Sequence, residues 1–399
     1  VVTAVNIIPA SGEFVYATEI VREQVFAGKE RALNAWSGEA RADFLVSLDQ
    51  LETDLPRVSH VALTVGWFGT SIAAGTCDIH PGVEMRERMT VPYAWEVAGV
   101  ARGDAYVISR DEGGNPNYGG TPADRCVIDA IREMNARGLS VTLSPFLFMD
   151  SEGFPWRGRI GVSADGTAAA RSEIDAFVNG ANGFRRFILH HAQLAAEAGG
   201  VEAFLIGSEM VGLTRVRDEA GAFPFVEALV ALAVEVKAIL PGADVSYAAD
   251  WTEYGAYVPG DGTGDVLFPL DALWASADVD FVGVDWYPPL GDWRDGAAHL
   301  DALAGYEAAD DPAYLASQIA GGEAYDWYYA DGTARDAQTR LSIQDGAYGE
   351  HFIFRQKDVA GWAGHFHHER PGGVREAAPT GWVPGMKPVR LMEIGFAAV

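Results

Sequence analysis

The feature that most constrains this chain is an alternation of short, β-branched apolar runs with long segments of 3.6-residue apolar period. The runs are Val2 to Ile8, Val58 to Gly66, Ala105 to Ser109, Leu139 to Phe148, Val201 to Gly207, Asp244 to Ala249, Asp280 to Trp286 and Val389 to Phe396. They are continuously apolar, as strands covered on both faces of a parallel sheet must be. Between them the pattern predicts helices at Glu39 to Leu55, Pro122 to Arg137, Ser172 to Ala198 and Phe223 to Leu240, the last three stopped by Gly138, Gly199 and Pro241-Gly242. Eight strands with helical crossovers predict an α/β fold, a (β/α)8 TIM barrel. No glycine-rich phosphate turn follows the first run, which disfavours an open doubly wound sheet.

A barrel of ~250 residues leaves roughly 150 over. These follow strand ends, at Trp67 to Gly103, Met149 to Arg171, Trp251 to Ala277 and Tyr287 to Pro388, so the long insertions fall on the carboxyl-end face where barrel sites are built. The expectation is one barrel domain over 1–399 with a large insertion at about 287–388, itself helical around Pro312 to Ala320 and Ala347 to Ala360. A start at Val1 instead of Met, and a stop at Val399 after an apolar run, predict an excerpt of a longer polypeptide.

Charge narrows the partners. The 29 Lys and Arg against 56 Asp and Glu give a net charge of -27, which repels a phosphate backbone, so nucleic acid is not an expected partner. No run reaches the ~18 apolar residues of a spanning helix, so no membrane insertion is expected. Cys77 and Cys126 are too few for a disulfide framework, and whether they pair stays open.

Two glutamates stand at strand ends, Glu209 in Leu205-Ile206-Gly207-Ser208-Glu209 and Glu393 in Leu391-Met392-Glu393-Ile394, on the fifth and eighth runs. A carboxylate pair across a barrel mouth is what glycoside hydrolysis needs: ~5–5.5 Å apart for retention, ~6.5–9.5 Å for inversion. Flanked by Met392 and Ile394, Glu393 is expected to be buried, hence hydrogen-bonded or functional. Either glutamate alone would more often be a solvated loop residue. Trp67, Trp251, Trp286, Tyr287 and Trp382 lie at or near strand ends, where flat rings stack on the CH faces of sugars; each could instead pack under a loop. Asp150, Asp250 and Asp285 are candidates to bind hydroxyls or, equally, to cap turns. His365, His367 and His368 lack a neighbouring acidic or thiolate set, so neither a metal nor a cofactor is expected. Gly-x-Ser-x-Gly is absent at Gly207-Ser208-Glu209, which leaves a serine hydrolase elbow unsupported.

With these residues in view, the sequence resembles the TIM-barrel domain of gene transfer agent and phage tail baseplate hub proteins, a family labelled glycoside hydrolase/phage tail protein. The resemblance is carried by Pro9-Ala10-Ser11-Gly12-Glu13-Phe14, Val284-Asp285-Trp286-Tyr287-Pro288-Pro289-Leu290, His367-His368-Glu369-Arg370-Pro371-Gly372-Gly373-Val374-Arg375 and Gly381-Trp382-Val383-Pro384 through Met392-Glu393-Ile394-Gly395. More distantly, Ile206-Gly207-Ser208-Glu209, Tyr247-Ala248-Ala249-Asp250-Trp251 and Met392-Glu393-Ile394-Gly395 are similar to retaining clan A glycosidases, mannanase-like ones especially. That similarity implies Glu209 as acid/base and Glu393 as nucleophile, with Ser208 where clan A commonly has Asn. Clan A glutamates end strands four and seven, whereas the runs here number five and eight. Either Val2 to Ile8 replaces the usual last strand or it lies outside the ring. The family implies a virion-like tail or baseplate acting at the host cell envelope, with a cell-envelope polysaccharide or oligosaccharide and other tail proteins as partners. The rival expectation is the same barrel kept as a catalytically silent glycan-binding or structural module.

Overall fold

The computed structural model describes residues 2–26 and 28–396. The chain forms two compact units, Val1–Tyr247 with Ala277–Asp280, and Ala248–Ser276 with Phe281–Val399.

In the first unit, strands β1 (Ala4–Ala10), β2 (His60–Gly69), β3 (Ser140–Met149) and β4 (Ala203–Ser208) are parallel neighbours in chain order, and β5 (Asp244–Asp250) starts beside β4. The β2–β3 register runs unbroken from His60↔Ser140 to Gly69↔Met149, so both strands end at one level. Every residue of β4 is buried, as its uninterrupted apolar sequence requires. The crossovers carry α1 (Asp43–Asp54), α2 (Asp124–Ala136), α3 (Ala168–Asn179), α4 (Phe184–Glu197), α5 (Val211–Thr214) and α6 (Pro224–Ile239). Helix α2 buries Val127, Ile131 and Met134, spaced i, i+4 and i+7, and stops at Gly138, whose φ of +78° suits glycine.

Two expectations are corrected here. The segment Ser172 to Ala198 is two helices, because Gly180 and Gly183 fold the chain so tightly that a Cβ would lie 2.5 Å from the Ala176 carbonyl and 2.6 Å from the Val178 carbonyl, respectively. The run Ala105 to Ser109 is not a strand of the main set: only Tyr106–Val107 is extended, and it pairs with Gly82–Val83.

In the second unit the end of β5 pairs with β6 (Val282–Trp286), and β6 with β7 (Val389–Ile394), all parallel. Asp250 lies opposite Asp285. After a register shift between Val284 and Asp285, Asp285 lies opposite Glu393. Residues 287–388 separate β6 from β7. They hold the helices Leu300–Leu303, Pro312–Ile319, Gly332–Asp336 and Val359–Gly364 and an antiparallel pair, Trp327–Tyr328 with Leu341–Ser342. The helix predicted around Pro312 is present. Ala347 to Ala360 is a 3-10 turn, His351–Phe354, followed by the first residues of a new helix.

The described residues thus contain seven main parallel strands instead of eight. Cys77 and Cys126 are both buried free thiols, and burial pushes the Cys126 thiol up to about 12. Among the described residues no helix is long and apolar enough to cross a membrane.

Candidate active site

In the first unit the site is built where β4 ends. Gly207 has a φ of +144°, and Glu209, two residues on, has a φ of +52°, left-handed for a residue with a side chain. A Cβ at Gly207 would lie 2.9 Å from the Phe184 ring, so only glycine lets the strand turn there. The Met210 amide donates to the Tyr247 hydroxyl at 2.5 Å and fixes the exit from the turn. Glu209 is 8% exposed. Trp156 Nε1 donates to its Oε2 at 2.6 Å, and Arg157 Nη2 lies 2.9 Å from the same oxygen. Arg157 also donates from Nε to the Ser208 carbonyl and from Nη2 to the Ser208 hydroxyl, both at 2.8 Å, and its guanidinium lies 3.9 Å above the Phe146 ring centroid. Ser208 is therefore tied to Arg157, and one guanidinium sets both the backbone and the carboxylate of the β4 turn.

In the second unit the paired ends of β5, β6 and β7 place Asp250, Asp285 and Glu393 at one level. Registered residues of parallel strands project from the same face, so three acids share a face. Asp285 is buried and Glu393 half-buried, with Leu391 and Ile394 beside it exposed. The expectation of a buried Glu393 is corrected: Ile394 beside it is exposed, and Met392 and Glu393 itself are only half-buried. The Tyr287 hydroxyl donates to Glu393 Oε2 at 2.5 Å. Gly395 makes room for that tyrosine, since a Cβ there would meet its ring at 2.6 Å. Trp286 and Trp251 are half-buried and Tyr287 is exposed. Asp250 accepts from the Thr252 amide and hydroxyl, a turn-capping arrangement.

Three of the expected sugar-binding residues have other work. Trp67 is fully buried and packs on Phe187, His190 and His191 of α4, so its indole faces the helix layer. Trp382 is fully buried between Trp362 and His367. A completely buried ring offers no face to a ligand from solvent. Asp150 accepts from the Tyr106 hydroxyl at 2.8 Å, the Ser109 amide at 2.9 Å and the Ser109 hydroxyl, and thereby fastens the 105–109 segment. His367 is likewise a packing residue, between Asp271 Oδ2 and the Trp362 carbonyl at 2.8 Å each.

Residues 182–399, more than half of the chain and including both glutamates, match the family described as the GTA TIM-barrel-like domain. The chain belongs to that family. Residues 115–222 of the chain, a span overlapping the start of that match, also match Glycoside Hydrolase Family 113 and contain β3, Trp156, Arg157, β4 and Glu209. No curated protein matches. Among solved structures, one GH113 β-1,4-mannanase aligns at 16% identity and a TM-score of 0.38, over 62% of this chain and 58% of its own. The GH113 β-mannanase of Alicyclobacillus acidocaldarius, in complex with ManMIm, aligns at 14% identity and 0.39, over 73% and 63%. The domain thus spans less than two thirds of the length of either.

The strand count of the GTA TIM-barrel-like domain removes the numbering conflict. With Ala105 to Ser109 set aside, Glu209 follows the fourth main strand and Glu393 lies on the seventh, and β1 pairs in parallel with β2 as the first of the set. Trp156 and Arg157 escaped the sequence reading because they lie in an aperiodic loop. The available signal was a Trp-Arg pair in the Gly- and Pro-containing segment after a strand end.

Proposed function

We propose that the chain is a retaining glycoside hydrolase-like domain acting on a cell-envelope glycan in a phage-tail or gene-transfer-agent baseplate hub. Support comes chiefly from the level row Asp250, Asp285 and Glu393, with a tyrosine hydroxyl donating to Glu393. A nucleophilic carboxylate needs a lone pair directed at the anomeric carbon, and a fixed donor such as the Tyr287 hydroxyl orients the group. Glu393 would attack the anomeric carbon as Glu209 gives its proton to the leaving oxygen. Glu209 would then take a proton from the water that attacks the same carbon and releases Glu393. The strand positions, four and seven, support this division of labour.

One observation favours a second reading, a glycan-binding module without turnover. Glu209 Oε2 is already engaged by Trp156 Nε1 at 2.6 Å and by Arg157 Nη2 at 2.9 Å, contacts that hold the carboxylate as part of the loop's own framework. The two readings separate on Glu209→Gln and Glu393→Gln. If the domain hydrolyses, the purified chain releases reducing ends from envelope polysaccharide or cleaves aryl glycosides, proton NMR shows retention at the anomeric carbon, and each substitution abolishes cleavage with circular dichroism unchanged. A chain that binds these glycans and never cleaves them, equally in wild type and both variants, is the module.

A further inference from the structure

The loop that holds Glu209 also carries aromatic surface that its packing does not explain. Trp156 is fixed at both ends: Nε1 is bonded to Glu209, and the six-membered ring lies against Gly158, where a Cβ would be 2.5 Å from it. Yet the residue is 40% exposed, whereas the core tryptophans Trp67, Trp95, Trp274, Trp362 and Trp382 are buried. Two residues earlier Phe154 is 48% exposed and held at a φ of +45°, a strained conformation for a residue with no polar group to gain from it. Phe154 meets Tyr118 edge-on at 5.8 Å; Tyr118 lies 5.1 Å from Phe148, and Phe148 5.0 Å from Phe146. Arg157 covers Phe146 and reaches Glu209, so ring contacts run without interruption from the carboxylate to Phe154.

We propose that Trp156, Tyr118 and Phe154 form stacking subsites for successive rings of a neutral glycan chain on the Glu209 side, so that the domain takes a polymer in preference to a terminal sugar. This rests on the glycan reading above. Rigid, solvent-facing aromatic rings bind sugar CH faces with little ordering cost. The chain should be neutral, because the protein's net charge of -27 repels anionic polymers. Trp156 would serve twice, as a platform and as a positioning residue for Glu209.

The test uses the full chain carrying Glu393→Gln, titrated calorimetrically with the hexasaccharides and disaccharides of the β-1,4-mannose, cellulose and chitin series. At least one hexasaccharide should bind on the order of tenfold more tightly than its disaccharide, and Trp156→Ala should weaken it by about tenfold. Tyr118→Ala with Phe154→Ala should bring the hexasaccharide-to-disaccharide ratio toward one. In the otherwise wild-type chain Trp156→Phe, which keeps a ring and loses the N–H, should lower kcat more than it raises KM. Circular dichroism checks that each variant folds. Failure of every hexasaccharide to bind, absence of length dependence, or unchanged binding in folded Trp156→Ala overturns the proposal. Length-dependent binding without cleavage keeps the subsites and removes hydrolysis; cleavage of short glycosides without length dependence does the reverse.

Discussion

Gly158→Ala asks directly how Glu209 is held. The new Cβ would lie 2.5 Å from Cη2 and Cζ3 of Trp156 and 2.6 Å from Cζ2. Carbon contacts are comfortable at ~3.5–4.0 Å, so the indole, or the turn Arg157–Arg159 beneath it, must move by roughly 1 Å. Such a shift carries the 2.6 Å bond from Trp156 to Glu209 out of hydrogen-bond reach. A hydrogen bond to a charged group contributes ~1.5–3 kcal/mol, and Gly158→Ala should destabilise the first unit by about that amount. Trp156→Phe removes the same bond by deleting its donor and leaves space for the alanine. The double variant should therefore cost little more than either single one, a coupling of ~1.5–3 kcal/mol. Urea unfolding of the four proteins measures it. Independent sites add within ~0.3–0.5 kcal/mol, and additivity of that kind would refute the idea that ring, glycine and carboxylate form one restraint. If the domain hydrolyses, both single variants should also lower kcat by about tenfold or more.

Glu13, from the Pro9-to-Phe14 segment, is buried and accepts from Arg102 at 3.0 and 2.7 Å, from Arg88 at 2.9 Å and from the Glu84 amide at 3.0 Å. Glu13→Gln leaves two largely buried guanidiniums without that charge and should cost ~3–5 kcal/mol; an unshifted urea midpoint would count against a structural role for this segment. Tyr287→Phe should lower kcat by about tenfold with KM little changed, since it removes a charge-assisted donor from Glu393, and equal activity would show that the 2.5 Å contact is idle. Burial lowers the Lys357 ammonium to about 8, while Nζ donates to the Pro289 carbonyl. Because the folded value lies below the unfolded one, the unfolded chain binds the extra proton between about pH 8 and ~10.4, and stability should rise with pH across that window. Lys357→Met should flatten the rise, and parallel urea midpoints in the two proteins would contradict the assignment.

Much of the architecture is legible in the sequence because continuous apolar runs have few homes other than a parallel sheet. The failures are equally physical. Ala105 to Ser109 has the composition of a main strand, but periodicity does not tell with whom a strand pairs, and the choice is made by Gly82–Val83 and the Asp150 carboxylate. Ser172 to Ala198 keeps its apolar period across Gly180 and Gly183, so the break depends on two missing side chains. At the site the strand-end acids were visible as residue types. Which face a ring takes was not: Trp67 and Trp382 read like Trp251 and Trp286, and only burial separates them. Trp156 and Arg157 matter through contacts at 2.6–2.9 Å with a residue more than fifty positions away, for which a local pattern has no signature.

The left-handed backbone at Glu209 bears on any attempt to engineer a sturdier version of this protein. Glycine or asparagine suits that conformation better, by about 1 kcal/mol or more, so a redesign scored on melting temperature would rewrite position 209 early. The resulting protein would withstand more heat and lack the one acid its loop is arranged to hold. Hardiness and chemistry compete at a single pair of torsion angles, and heat tolerance is the wrong guide there.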